Sequence, residues 1–170
     1  MNWVGLVAAL LVTLLVQTTL ARLGDLPLIE LDLLLVLALL YGLLAPVQDA
    51  RLAALLIGFA VDLTTEGAVG IYAFSFGLTG LLLTWMREVV NRQLWWGRLL
   101  ITFLAALPGQ LLIVLHLRFV QRAALGTVWQ MLVSVVLVSA TAALVTVLLT
   151  FLPPLAPRRH LARRGPWRRH

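Results

Sequence analysis

Six long apolar stretches dominate this sequence of 170 residues and strongly limit what it can fold into. A helix needs about 20 apolar residues to cross a hydrocarbon core of about 30 Å. With 62% hydrophobic residues and a mean hydropathy of +1.02, a soluble fold of this length would be unable to bury its apolar surface. We therefore expect an all-α integral membrane protein, a compact bundle of about six transmembrane helices. The predicted spans are residues 3–21, 28–46, 52–63, 67–86, 99–119 and 127–152.

The net charge of +6 comes from arginine, which supplies all thirteen basic residues, six of them in residues 158–170. Beside a membrane, the anionic lipid surface and the positive-inside rule account for such a tail with fewer assumptions than nucleic acid does. We therefore expect a polytopic membrane domain, residues 1–157, followed by a basic cytoplasmic tail. Membrane lipids, and no nucleic acid, are the partners that this charge pattern indicates.

The distribution of arginine fits two topologies. Six spans with a cytoplasmic N-terminus put ten arginines inside and three outside. Five spans with an external N-terminus and a re-entrant third segment give the same numbers, because only Arg22 and Arg51 exchange sides. Polar connectors are predicted at residues 46–51 and 87–98, and the second is cytoplasmic in both topologies. The position of the N-terminus stays open at this point.

Small residues recur at steps of three and four along the predicted fourth span, where they form one smooth helix face. Helices in a bilayer associate through close approach at such faces, so the pattern predicts a compact bundle whose centre includes this span. The residues of this face are Gly70, Ala73, Gly77, Gly80 and Thr84. Weaker stripes run through Ala38, Gly42 and Ala45 and through Ser139, Ala142, Thr146 and Thr150.

Two carboxylates, Asp62 and Glu66, lie between the third and fourth spans and are followed by Gly67. The first N–H groups of a helix have no intrahelical partners and favour an anionic side chain. The sequence therefore predicts a capped, glycine-lined turn in which Asp62 accepts from the backbone of the fourth helix. The alternative is a functional carboxylate pair, Asp62 with Asp32, that couples to a proton or cation near the outer leaflet.

Residues that would support catalysis or bind a metal are few. There is no Cys, and two of the three histidines lie in the tail. None of the common hydrolase, zinc or phosphate-loop motifs is present. We therefore expect no enzymatic activity, no cofactor and no metal. A ligand pocket would need convergent polar groups, and the candidates Gln17, Tyr72, Gln110 and His116 look too few and too scattered in sequence to form one.

Two segments resemble the MreD family of bacterial rod shape-determining proteins. They are residues 29–42, IELDLLLVLALLYG, and residues 56–83, LIGFAVDLTTEGAVGIYAFSFGLTGLLL. Length and number of spans agree over nearly the whole chain, whereas the arginine-rich tail matches no motif of the family. The resemblance implies a short third span and favours six spans with both termini cytoplasmic. Its matching residues are Asp32, Gly58, Asp62, Leu63, Gly67, Gly70 and Gly80.

This resemblance implies a non-enzymatic scaffold of the cell-wall elongation machinery in the bacterial inner membrane. Its partners would be MreC, a RodA synthase with its class B penicillin-binding protein and, indirectly, MreB filaments. The small-residue faces would either close the bundle itself or receive the single transmembrane helix of MreC, and the outer polar turn, residues 62–67, would contact periplasmic parts of the partner. The family is similar in architecture to the substrate-binding subunits of energy-coupling factor transporters, so a vitamin-type solute binder is the main alternative. A flippase or lipid-binding accessory is a third possibility.

Overall fold

A computed structural model describes residues 3–22, 32–65, 70–89, 95–119 and 127–151, and these residues form six helices and no strand. The expected all-helical architecture is thereby confirmed. By length and composition, α5 and α6 are apolar enough to cross a membrane, and α1 and α2 contain shorter apolar segments. The helices are α1 Trp3–Arg22, α2 Leu33–Leu44, α3 Val47–Thr64, α4 Ile71–Val89, α5 Trp95–Phe119 and α6 Val128–Thr150.

The centre of the bundle is α2, which packs against each of the other five helices. Seven consecutive residues of α2, numbers 34–40, are buried, so this helix is apolar and covered on all sides. The fourth helix, expected at the centre, packs against α2, α3 and α5 and shares that position. The main contact of α1 is with α2, and α1 leaves most of its outer face exposed.

Helix α3 is longer than the sequence indicated. It begins at Val47, so the connector predicted at residues 46–51 is wrong: Pro46 is the N-cap and the next five residues are helical. Proline is tolerated at a helix start because the missing N–H has no intrahelical partner there, and Asp49 in the first turn suits the positive end of the helix dipole. Eighteen residues give α3 a length of about 27 Å, and it traverses the bundle.

The second predicted connector is also partly helical. Arg87 belongs to α4 and Arg98 to α5, so both ends of this predicted connector are helical, and residues 90–94 lie outside the described residues. The prolonged α4 brings Arg87 to the end of α2. There the guanidinium Nη1 donates to the carbonyl oxygens of Gly42 and Ala45 at 2.6 and 2.7 Å. Gly42 lies in the last turn of α2 and Ala45 is its C-cap, and a cation is favourable beside the carbonyls at this end of a helix.

Charged groups are unequally divided between the two ends of the bundle. Helices α3 and α4 run antiparallel, since Arg51 Nε donates to Thr84 Oγ1 at 2.9 Å while Asp62 contacts the start of α4. We call the end that holds Asp32 and Asp62 the acidic end, although Arg118, in the last turn of α5, lies at this end as well. The opposite end, which we call the basic end, holds Arg51, Arg87 and Arg98 together with Asp49 and Glu88.

Candidate functional site

The acidic end is organised by a carboxylate that caps a neighbouring helix. Asp62 Oδ1 accepts the backbone N–H of Tyr72 at 3.1 Å, and Oδ2 accepts that of Ala73 at 2.8 Å. Asp62 is 3% exposed, and the dipole of α4 stabilises its buried charge. The predicted cap is confirmed. Because both carboxylate oxygens bind the α4 backbone, the paired proton or cation site with Asp32 has no support from this geometry.

Gly58, one turn before Asp62, lets α3 and α4 approach closely. A Cβ atom at Gly58 would overlap the carbonyl oxygen of Tyr72 and lie 2.7 Å from Ala73 Cα. Because both neighbours are backbone, side-chain rotation would not relieve the overlap. Gly70 precedes α4 with a φ of +112°, a conformation that glycine adopts readily. We call Gly58, Asp62, Gly70, Tyr72 and Ala73 the α3–α4 corner.

The small-residue face of α4 packs against α3. A Cβ at Gly80 would lie 2.5 Å from that of Ala54, and one at Gly77 would lie 3.9 Å from that of Leu55. Thr84 completes the face by accepting from Arg51. Gly70, which the sequence placed on this face, lies before the helix. A Cβ atom added at Gly70 would have no heavy atom of a neighbouring residue within 4 Å. Of the two uses considered for this face, the structure shows closure of the bundle.

The other small-residue stripes also face inward, as the sequence indicated. On α2, Ala38 and Gly42 are buried and Ala45 is half-buried. The stripe of α6 is buried throughout, and its residues are Ser139, Ala142, Thr146 and Thr150. Two other residues predicted for the polar turn, Glu66 and Gly67, lie outside the described residues, as does the basic tail.

A second polar group at the acidic end surrounds Asp32. This residue is the N-cap of α2, and its side chain accepts the backbone N–H of Leu35 at 3.1 Å. The amides of Gln17 on α1 and Gln110 on α5 lie beside the same carboxylate, and Tyr72 on α4 interacts electrostatically with it. We call Gln17, Asp32, Tyr72 and Gln110 the Asp32 cluster. Of the four residues that looked too few and too scattered for a pocket, Gln17 and Gln110 do meet at Asp32.

The Asp32 cluster contains polar atoms with no hydrogen-bond partner in the described part of the chain. Gln110 is 7% exposed, and its Nε2 is buried and unpaired. The Oε1 atom of Gln17 is likewise buried and unpaired. Leaving one such group unsatisfied costs about 1–3 kcal/mol.

Sequence reasoning considered Gln17, Tyr72 and Gln110 but did not place them beside Asp32, because the four residues come from four different helices. A signal was present, since Gln17 and Gln110 are amides within predominantly apolar helices, where buried polar groups usually have partners. His116 has an unpaired, buried Nε2 as well. Within the described ranges, no three His, Cys, Asp or Glu side chains form a group able to hold a metal ion.

Comparison with protein-family models, with curated proteins and with solved structures gives no significant match.

Proposed function

We propose that this protein is a multi-pass membrane scaffold similar to MreD, and that it holds together components of the bacterial cell-wall elongation machinery. The observation that carries the proposal is the α3–α4 corner. Gly58, Asp62 and Gly70, which carry the sequence resemblance, meet there in one structural unit. When the residues of a motif all meet at one contact between two helices, chance composition accounts for the motif less easily than it does for isolated glycines.

Membrane embedding is supported by the outer surface of the bundle. Large apolar side chains are exposed on α1, α5 and α6, among them Val4 at 78%, Leu15 at 67% and Trp129 at 73%. Exposed apolar area on this scale is unfavourable in water and suits a lipid environment. Trp95 and Trp96 stand at the first turn of α5, where aromatic side chains anchor a helix at the interface.

The orientation that we propose places the basic end in the cytoplasm of a bacterial inner membrane, with both termini cytoplasmic. Arg51, Arg87 and Arg98 lie at this end of the bundle, as the six-span topology requires. A re-entrant third segment would instead return Arg51 to the side that holds Asp62. The course of α3 through the bundle supports six spans over five.

The scaffold acts through helix contacts with MreC, and through it with RodA, a class B penicillin-binding protein and MreB. Since the small-residue face of α4 packs against α3, partner helices meet the outward faces of the bundle instead. The α3–α4 corner fixes the relative position of two helices at the outer side, so that the surface offered to a partner is rigid. No catalytic group, metal or cofactor is needed for this role.

A second candidate function is supported by the Asp32 cluster. A solute-binding subunit of a vitamin-type transporter needs convergent polar groups at its outer end, and the cluster brings four polar side chains together there. The other buried polar groups of the interior are mostly serine and threonine hydroxyls, several of which bond to the backbone of their own helix, so such a subunit has few further groups for recognition.

Affinity purification distinguishes these functions. The tagged chain is purified from native membranes in a mild detergent, and the associated proteins are identified by mass spectrometry. A tagged multi-pass protein of unrelated function, treated in the same way, is the control. Enrichment of MreC with the synthase pair is the expected result. Enrichment of transporter ATPases and a coupling subunit would overturn the scaffold proposal and establish the solute-binding function.

A further inference from the structure

We propose that the basic end of the bundle binds one anionic phospholipid. Its phosphate lies against Arg87 and Arg98, and one of its acyl chains lies in a groove between α1 and α2. The inference rests on the membrane embedding proposed above, and it does not depend on the partners of the scaffold. Two adjoining cavities carry it, one apolar and one lined by arginine.

The apolar cavity is an open groove of about 380 Å³ between α1 and the second half of α2. Ala9 lines it from α1, and because alanine is small, the space opposite α2 stays unfilled. Leu37 and Leu44 line it from α2 and set its length at about 10 Å, since a helix rises about 1.5 Å per residue. Small-molecule pockets measure about 300–1,000 Å³, so the groove is large enough to hold part of a ligand.

The lining of the groove suits the upper part of an acyl chain. Among the described residues that form it, Tyr41 alone has a polar side chain, and it stands one turn before the C-cap of α2. A tyrosine combines an apolar ring with a polar tip, which is typical of the boundary between hydrocarbon and the polar interface. An acyl chain is the apolar group that a bilayer supplies at this place.

The second cavity is a pocket of about 40 Å³ at the end of α2, and Leu44 lines both this pocket and the groove. Arg87 of α4 and Arg98 of α5 also line the pocket, and no acidic side chain is among its described lining residues. One water needs about 10–15 Å³, so the pocket admits a larger group. Because the two cavities meet at Leu44, one lipid reaches both.

The two arginines select a phosphate. A guanidinium offers several N–H donors in one plane, which matches the oxygens of a phosphate. Arg87 Nη1 donates to the carbonyl oxygens of Gly42 and Ala45, and these bonds orient the guanidinium without cancelling its charge.

Other groups near the pocket leave this role to the arginines. The hydroxyl of Thr150, which also lines the pocket, donates to the carbonyl oxygen of Val147 at 2.7 Å. Asp49 and Glu88, the carboxylates of the basic end, line neither cavity. A zwitterionic lipid would bring a second, positive group that two arginines repel, so the charge favours an anionic head group.

Native mass spectrometry of the full chain tests the lipid preference. The purified chain in mild detergent is mixed with equal amounts of phosphatidylglycerol and phosphatidylcholine that carry identical acyl chains. Phosphatidylglycerol should be retained about tenfold more than phosphatidylcholine. Glycerol phosphate has a similar charge but no acyl chain, and at equal concentration it should leave the lipid bound. Equal retention of the two lipids, or displacement by glycerol phosphate, would overturn the proposal.

A pair of arginine variants tests the charged pocket. Arg98→Gln removes a half-buried charge that lines it, and the preference for phosphatidylglycerol should fall about tenfold. Arg51→Gln is the matched control, since Arg51 is exposed at the same end and lines neither cavity. Arg87 stays unchanged because it also holds the end of α2. An equal fall for both variants would show diffuse attraction between charges and contradict a built site.

A phosphatidylglycerol with a photoreactive acyl chain tests the groove. In nanodiscs, its crosslinks to the parent chain should concentrate on the residues that line the groove. Ala9→Leu fills the groove from α1 and should reduce them several-fold, whereas Ala8→Leu, on the exposed face of α1, should not. Crosslinks spread evenly over the exposed helices of the parent chain would overturn the proposal, whether or not the variants fold.

The same preparation separates this inference from the embedding on which it rests. A chain recovered from cells without detergent would overturn both. A chain that needs detergent but retains the two lipids equally would overturn the lipid site alone.

Discussion

The carboxylate of Asp62, near the end of α3, accepts the backbone N–H of Ala73 at 2.8 Å in the first turn of α4. Its other oxygen accepts from Tyr72. A helix start is usually capped by the residue that precedes it, but here that residue is Gly70, which has no side chain to offer. The cap therefore comes from a different helix. One hydrogen-bonded carboxylate thus helps to fix the angle between α3 and α4.

The first prediction concerns this cap. Asp62→Leu removes the acceptor from two backbone N–H groups in a buried position, so the free energy of unfolding should fall by more than about 2 kcal/mol. Asp62→Asn retains one acceptor oxygen and should cost less than half as much. Denaturant unfolding in mild detergent measures both. Equal losses for Asn and Leu would show that the charge, rather than hydrogen bonding, stabilises the corner.

The second prediction uses two glycines that face the contact between α3 and α4. Gly58→Ala forces backbone atoms of Tyr72 and Ala73 to move, and overpacking of this kind costs about 1–3 kcal/mol or more. Gly77→Ala meets Leu55 at ordinary contact distance, 3.9 Å, so it should be neutral or slightly stabilising.

Melting temperatures of the two purified variants test this difference. Gly58→Ala should melt several degrees below the parent chain, and Gly77→Ala should remain within about two degrees of it. If both variants are equally stable, the helices are further apart than the structure places them.

The third prediction concerns the arginine that binds the end of α2. Arg87 is 4% exposed, and Arg87→Met would remove charge-assisted hydrogen bonds to the carbonyls of Gly42 and Ala45. Such bonds contribute about 1.5–3 kcal/mol each, so a loss of at least about 2 kcal/mol is expected. Arg51→Met is the control: Arg51 is exposed and donates to one threonine hydroxyl, and its loss should cost at most about 1 kcal/mol. Comparable losses from the two variants would contradict the special role of Arg87.

The fourth prediction concerns the course of α3, which the natural lack of cysteine makes easy to test. Gln48 and Thr65 are exposed at opposite ends of this helix. In intact cells, a membrane-impermeant maleimide should label Thr65→Cys, whereas Gln48→Cys should react after permeabilisation. Labelling of both from outside, or of neither, would place the two ends on one side of the membrane and support the re-entrant alternative.

Local features of the fold were predictable because their causes are local. Apolar stretches indicated the six helices, and the spacing of small residues indicated which faces of α2, α4 and α6 turn inward. The cap at Asp62 was predictable as well, since unpaired N–H groups at a helix start attract a nearby carboxylate. The start of α3 was missed because Asp49 and Arg51 look like residues of a polar connector. Charged residues near the end of a helix do not, however, prevent the helix from forming.

What the sequence left undetermined depends on contacts between distant segments. To predict the close approach of Gly58 to Tyr72, one must know which helices are neighbours and how far they are offset along their axes. The Asp32 cluster likewise depends on the rotation of α1 and α5 about their axes, which places Gln17 and Gln110 beside one carboxylate. Neither rotation is encoded by hydropathy, because both helices are apolar on nearly every side.

The central position of α2 bears on the order in which the molecule can assemble. Its contact with α6 joins Leu33–Leu44 to Val128–Thr150, segments that a ribosome synthesises far apart in time. At about 5–20 residues per second, α6 emerges on the order of ten seconds after α2. During this interval the side of α2 that α6 will cover faces lipid or the insertion machinery. The bundle therefore closes last at its most central helix, and a chain truncated before α6 would leave that helix open to other partners.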